Sequence, residues 1–470
     1  MLLSDLPVEL LAQIANAVDV FEVGSFALVC HTFFTASSAA IRKYLQMKQN
    51  HERLCLCDDG LVSALDDISD VHTYSLMDAM RLIKRQPQVA QWIKDLVVEL
   101  SDTSEHSRRT YETPDLCMLQ QTLSTFSLKE RLIHRDRHRI VILVMLILLL
   151  PELRTLVWDS QNMDYRAFFH MLDDVRLMSP ADHTIRINHV VIRRHVTEPF
   201  PDDRSIYYFM KWPSIRSLRA EHCRHGFSDR IYLTNNRSWS HLPVMSNLTE
   251  LSFVDCFIDD RHNWLHTVLT SVKTLLKFSY RTCVSTYAAS NTIEMTLYWY
   301  AREHLTHLTL DRGPGNIIEL FPQLEHGSGT PNLADFHKLR HLETRFRGLD
   351  RRSSWLQDYG NKVARQMPND IQSIRILQAH ENETTHQRCR QLQKVVEAKR
   401  HPRFRILKRI ELPQVACSEN TSLESCYHDS TADEQDFNQE RLDHLAIRKL
   451  QEACDIHGVQ LAWTDPVPTS

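Results

Sequence analysis

The residues of this chain whose types and spacing could do chemistry are few. "HRDRH" sets His134 and His138 four apart, a spacing at which two imidazoles on one helix face could hold a metal. The stretch lacks the glutamate of H-E-x-x-H, and its arginines would repel a cation, so a solvated basic face is expected. "HERLCLC" gathers His51, Cys55 and Cys57, but one residue between cysteines is short for zinc ligands and no second pair follows. Glycine numbers only 10 in 470 residues, and no phosphate-cradling G-x-x-x-x-G-K-[ST] or G-x-G-x-x-G occurs. "DRGPGN", residues 311–316, reads as a turn. No Ser-His-Asp or Cys-His constellation can be argued from sequence order. With 26 histidines, no single one is informative. No catalytic residue, metal site or cofactor is expected.

The composition bounds what must position any site. Apolar residues make up 43% and charged residues 24%, with a formal net charge of −4, which argues against general nucleic-acid or anionic-membrane binding. Eleven cysteines and no basic-then-apolar leader point to a reduced intracellular compartment, cytoplasmic or nuclear. The sequons at Asn236, Asn247, Asn382 and Asn420 are then chance matches. "IVILVMLILLL", Ile140 to Leu150, is too short to span a bilayer and stops at Pro151, so a buried helix is expected and no membrane attachment.

From residue 90 a spaced pattern recurs. The template apolar-x-x-apolar-x-apolar-x-x-Cys fits Ile215/Leu218/Ala220/Cys223, Leu248/Leu251/Phe253/Cys256 and Leu275/Phe278/Tyr280/Cys283. Without the cysteine it recurs at Ile93/Leu96/Val98, Leu153/Leu156/Trp158, Ile187/Val190/Ile192, Leu305/Leu308/Leu310, Leu339/Leu342/Thr344, Ile371/Ile374/Ile376 and Leu407/Ile410/Leu412. From Leu153 onward the first positions lie 34, 28, 33, 27, 30, 34, 32 and 36 residues apart; the gap of 60 before Leu153 holds one degenerate or enlarged repeat. Each unit predicts a short strand with one buried face. The residues between return the chain, with helical periodicity in "WLHTVLTSVKTL", Trp264 to Leu275. The cysteines suit the inside of the bend after the strand, their S–H meeting a buried carbonyl. A helix from about Glu434 to His457 and a closing strand over Gly458 to Trp463 complete the pattern. The polar stretch 413–440 is expected to be a flexible insert.

The repeats resemble the leucine-rich repeat family, whose consensus contains L-x-x-L-x-L-x-x-N/C, in the long, irregular form of divergent fungal members. The expected fold is therefore an α/β solenoid: a three-helix module at 1–46, a helical linker at 47–90, repeats at 91–465 and a tail at 466–470. In such an array the residues between the apolar positions face solvent. They are Arg219, Glu221, Ser252, Ser279, Arg281, Thr309, Asp311, Glu343, Arg345, Arg375 and Glu411, and their mixed charge suits a protein segment better than a polyanion.

At the other end stands "LSDLPVELLAQIANAV". Leu3, Leu6, Leu10, Leu11, Ile14 and Val18 recur at helical steps, with Pro7 suited to the first turn and Ser4 and Asp5 ahead of it as cap-type residues. A second apolar series runs from Val20 to Phe33, and a third short helix is expected over Ala36 to Tyr44. Such a module cannot bury all of its apolar surface by itself, which leaves the sheet or another protein to cover the rest.

These residues resemble an F-box, whose pattern is L-x-x-L-P-x-E-L/I-L/I-x-x-I followed by L-V-C-[KR]-x-[FW]. The first block is Leu3, Leu6, Pro7, Glu9, Leu10, Leu11 and Ile14. The second is Leu28, Val29, Cys30, His31, Thr32 and Phe33, with His31 where a Lys or Arg is usual. Gly24 within the second helix and Val20 in place of a common proline are further departures. The resemblance implies docking onto a Skp adaptor, which leads to a cullin scaffold. It carries Leu6, Pro7, Glu9, Leu10, Ile14, Val29, Cys30 and Phe33 to that interface. An F-box ahead of such repeats resembles the substrate receptor of an SCF ubiquitin ligase, non-catalytic and acting by proximity. The other reading is an assembly scaffold that binds Skp or other partners without ubiquitination.

Overall fold

The computed structural model describes residues 6–18, 22–28, 31–57, 73–100, 117–122, 138–160, 168–172, 186–193, 206, 209–222, 246–256, 264–281, 292–311, 333–344, 367–376, 385–400, 405–413 and 433–464. The chain divides into two compact units, Met1–Phe209 and Met210–Ser470.

The first unit opens with helices α1 (Val8–Ala17), α2 (Val23–Ala27), α3 (His31–Ala36) and α4 (Ser38–His51). The expected three-helix module is thus four helical segments. The second apolar series forms two short helices rather than one, and the third helix runs on to His51. Pro7 stands just before α1 with its carbonyl accepting from the N–H groups of Leu10 and Leu11, at 3.0 and 3.1 Å. Tyr44 of α4 meets the Trp92 ring edge-on, centroids 5.4 Å apart, which ties the helices to the start of the sheet.

Strands β1 (Arg53–Cys57), β2 (Thr73–Tyr74), β3 (Asp95–Leu100), β4 (Thr155–Ser160) and β5 (His189–Ile192) pair in parallel in the order β2-β1-β3-β4-β5. The linker expected at 47–90 is therefore not wholly helical, because it supplies the two outermost strands together with α5 (Leu76–Arg85) and α6 (Pro87–Ala90). Ser75 caps α5 by accepting from the Asp78 N–H at 3.1 Å, and Leu76, Met77, Ala79, Met80 and Ile83 are buried. β3 pairs directly with β4, so among the described residues the 60-residue gap adds no strand to the sheet, as an enlarged repeat would. Within it α7 (His138–Leu149) is buried from Ile140 to Ile147, as its continuous apolar run predicts. No described helix is long and apolar enough to cross a membrane.

In the second unit β6 (Ser217–Glu221), β7 (Glu250–Val254), β8 (Lys277–Arg281), β9 (His307–Asp311), β10 (His341–Thr344), β11 (Ser373–Ile376), β12 (Arg409–Pro413) and β13 (Gln460–Thr464) pair in parallel in sequence order. Every predicted repeat strand is present in this α/β solenoid-like succession. The return helix α8 (Trp264–Thr270) is shorter than its periodicity suggested. Beyond it come α9 (Thr292–Tyr300), α10 (Thr385–Glu397) and α11 (Asp433–His457). The last corrects the flexible insert at its distal end: 433–440 is the start of α11, while 414–432 lie outside the described residues.

Alternation explains the strands. In β7 and β9 burial alternates residue by residue, with Leu251, Phe253, Leu308 and Leu310 at most 2% exposed. Burying each such side chain contributes about 1.5–3 kcal/mol. At the start of each strand a backbone relay fixes register. The Glu52 carbonyl accepts from the N–H groups of Lys94 and Asp95, and that of Lys94 from Arg154 and Thr155. In the second unit the same double acceptance passes from Arg216 through Thr249, Leu276, Thr306, Arg340 and Gln372. At the strand ends His222 and Asp255 adopt left-handed φ of 54° and 52°. Cys256 then turns inward, its Sγ 3.3 Å from the carbonyls of Ala220 and Val254. This is the expected structural cysteine; Cys223 and Cys283 lie outside the described residues.

Candidate functional site

Two surfaces carry the candidate residues, one in each unit. On the helical module the inward face is a small core of Leu11, Phe33 and Ala36, with Leu6, Ala12 and Ile14 packed on it. Ala15, Val23, Ala40 and Tyr44 form a second cluster. Phe33 is 4% exposed, so it can act on a partner only by holding the helices in place. Leu6 and Ile14 are half-buried, whereas Pro7, Glu9 and Leu10 are exposed, Leu10 by 44%. Val29 and Cys30 lie outside the described residues. Exposed apolar neighbours absent from the motif-based set are Val8, Leu28, Phe34 and Leu45, with Leu28 at 85%. The signal for Phe34 was the pair Phe33-Phe34: adjacent residues on a helix point about 100° apart, so only one can face the core.

The second surface is the face of β6–β12 opposite the apolar repeat positions. Strand register aligns Arg219, Ser252, Ser279, Thr309, Glu343, Arg375 and Glu411 in one row. The charged side chains of this row are engaged in ion pairs. Arg219 pairs with Glu221 at 2.6 Å. Glu343 accepts from Arg281 at 2.7 Å and from the Thr309 hydroxyl at 3.2 Å, with Arg375 at 3.5 Å on its other oxygen. Arg375 also approaches Glu411 at 3.7 Å, which Arg409 holds at 2.7 Å. Asp311 stands next to Arg281 in register, and Arg345 lies outside the described residues.

Sequence reasoning missed a second row on this face, one step towards the strand starts: Glu250, Lys277, His307, His341, Ser373 and Arg409. Period-two alternation places these beside the first row, since residues two apart share a face. Lys277 pairs with Glu250 at 2.6 Å, and His341 Nδ1 lies 2.7 Å from the Ser373 hydroxyl. Burial holds the His307 imidazole below its ordinary pKa, helped by the charge of His341, and burial with Arg340 does the same to His341.

The positions in the first unit equivalent to the central row are apolar. Cys55, Val97, Val157 and Val191 form a buried cluster, and burial pushes the Cys55 thiol up. Within "HERLCLC", Arg53–Cys57 therefore serves as strand β1, while His51 ends α4. Among the described residues no group of three His, Cys, Asp or Glu could hold a metal; His134 lies outside them, and His138 begins α7. No protein-family model matches the chain, and no curated protein matches it in sequence.

Proposed function

We propose that this chain is the substrate-recognition subunit of an SCF-type ubiquitin ligase, with the N-terminal helices docking a Skp adaptor and the repeat face holding a target protein. The observation that carries this reading is the position of Leu10. It belongs to the L-x-x-L-P-x-E-L motif, yet it is 44% exposed on a helix whose other face is packed. Val8 beside it is likewise exposed, as are Leu28 just after α2 and Phe34 on α3. The target-facing role of the repeats rests on the Arg219 to Glu411 row, whose arginines and glutamates offer both signs of charge to a polypeptide. The chain itself carries out no bond chemistry in this role; the adaptor and cullin bring the conjugating enzyme near the target.

The test is capture of the tagged full chain from cells, followed by quantification of Skp and cullin. Wild type should retain both. Leu10→Asp should lose both by about tenfold to a hundredfold, the binding factor expected from one buried leucine. A folded wild type that retains neither overturns the proposal. Retention of Skp with no change in any target's lifetime favours the scaffold instead.

A further inference from the structure

We infer that the chain pairs with a second copy of itself through β13, as a twofold dimer of antiparallel strands centred on Ala462. The inference does not rest on the function proposed above.

The two outermost strands are built differently. β2 is two residues long, Thr73–Tyr74, and short edges are one way in which sheets avoid unwanted pairing. β13 runs five residues, Gln460–Thr464, and contains no charge and no proline. It pairs with β12 alone, and among the described residues no strand lies along its other edge. Among the described residues the apolar repeat positions end there and no polar cap follows, which terminal repeats ordinarily need. Leu461 and Trp463 stand opposite Ile410 and Leu412 and so continue the core face, yet Trp463 is 41% exposed. On α11, just before this strand, Leu442, Leu445 and Ile456 are 44%, 48% and 79% exposed, and helical spacing puts them on one flank.

Backbone geometry selects the occupant. The Gln460 N–H donates to the Lys408 carbonyl at 2.7 Å. Alternation along a parallel ladder then turns the N–H and C=O groups of Leu461 and Trp463 away from β12. In a twofold antiparallel pairing centred on Ala462, Leu461 faces Trp463 of the second copy. Both residues present outward groups, so they exchange both hydrogen bonds, and symmetry repeats the pair. The side chains agree with this register. Leu461 against Trp463 is an apolar cross-strand pair on the core face. A strand without charge and with a symmetric polar–apolar–small–apolar–polar pattern is complementary to itself, as an isologous contact requires.

The test is sedimentation of the full chain across micromolar concentrations, where wild type should self-associate to a dimer. Ala462→Lys places the new ammonium beside Glu411 on its own sheet, which favours the fold, but sets two lysines face to face at the twofold axis. It should weaken the dimer at least about tenfold, since like charges directly opposite repel. Ala462→Cys reads the register independently. Opposed residues in the non-hydrogen-bonded position have Cα atoms about 4.5 Å apart, within disulfide reach. Mild oxidation should therefore trap a reducible dimer, while Gln460→Cys, which faces Thr464, should cross-link far less. A monomer at every concentration overturns the inference. So does a dimer that Ala462→Lys leaves intact, or one in which Ala462→Cys cross-links no better than Gln460→Cys.

Discussion

His307 and His341 stack face to face across β9 and β10, their ring centroids 4.2 Å apart and their planes 21° from parallel. The Thr306 hydroxyl meets His307 Nδ1 at 2.9 Å, as the Ser373 hydroxyl meets His341. Burial lowers both pKa values; His341 and Lys277 add to it at His307, and Arg340 at His341, against the opposing pull of Glu250, Glu343 and Glu411. The unfolded rings take up protons first as pH falls below about 6.5. Folding stability should therefore be full above that value, decline below it, and level off once the folded pair is also protonated. Denaturant midpoints at about pH 7.5 and about pH 5.5 check this, and His341→Gln should shrink the difference between them.

Leu11 and Leu10 are neighbours with opposite duties. Leu11 and Phe33 lie within the helical module's core, at 0% and 4% exposure. Phe33→Ala should cost about 3–5 kcal/mol and melt the module early. Leu10→Asp should leave the thermal midpoint nearly unchanged while weakening adaptor capture by about tenfold to a hundredfold. Equal loss of stability in the two variants would place Leu10 in the core as well.

Glu343 anchors Arg281, Thr309 and, at longer range, Arg375. Its side chain is 26% exposed, against 39% for Glu250, whose bond to Lys277 is a single exposed pair. Glu343→Ala should cost about 1–2 kcal/mol, and Glu250→Ala less than about 1 kcal/mol. Chemical unfolding of both variants in low and moderate salt separates them, with the Glu250 effect fading as salt rises.

Gly458 ends α11 at φ +61°, with the Val459 N–H donating to the Cys454 carbonyl at 2.8 Å. A Cβ at this position would meet no atom within 4 Å, so only backbone strain opposes a side chain. Gly458→Ala should lower stability by about 1–2 kcal/mol, and Gly458→Asn by less, because asparagine tolerates this conformation. Lys399 donates to the carbonyls of His457 and Gly458 at 2.6 and 3.2 Å, and Lys399→Met should weaken the same helix end.

Strands β3 to β9, β11 and β12 were legible because each repeats three apolar positions at fixed spacing, and β10 keeps that spacing with Thr344 in the third place. β1 escaped for a specific reason. Leu54 and Leu56 satisfy the second and third positions, but the first is His51, which reaches back to the Met47 carbonyl at 2.7 Å and meets Trp92 edge-on. The pattern fails at one letter although the strand forms. The break between α2 and α3 was invisible because the apolar series runs through it without interruption. On the candidate surfaces, exposure of Leu10 could be read from the motif. The internal pairing of Arg281, Glu343 and Arg375 could not, since it joins residues many positions apart that only sheet register brings together.

The backbone relay at the strand starts has a consequence for descent. Its acceptors are Glu52, Lys94, Arg154, Arg216, Thr249, Leu276, Thr306, Arg340 and Gln372, residues of every chemical kind, because a carbonyl serves whichever side chain accompanies it. A unit of 27 to 36 residues held by three apolar positions and one main-chain carbonyl leaves most of its letters free to drift. Lineages built this way can lose all textual likeness to their ancestors while the scaffold passes on intact.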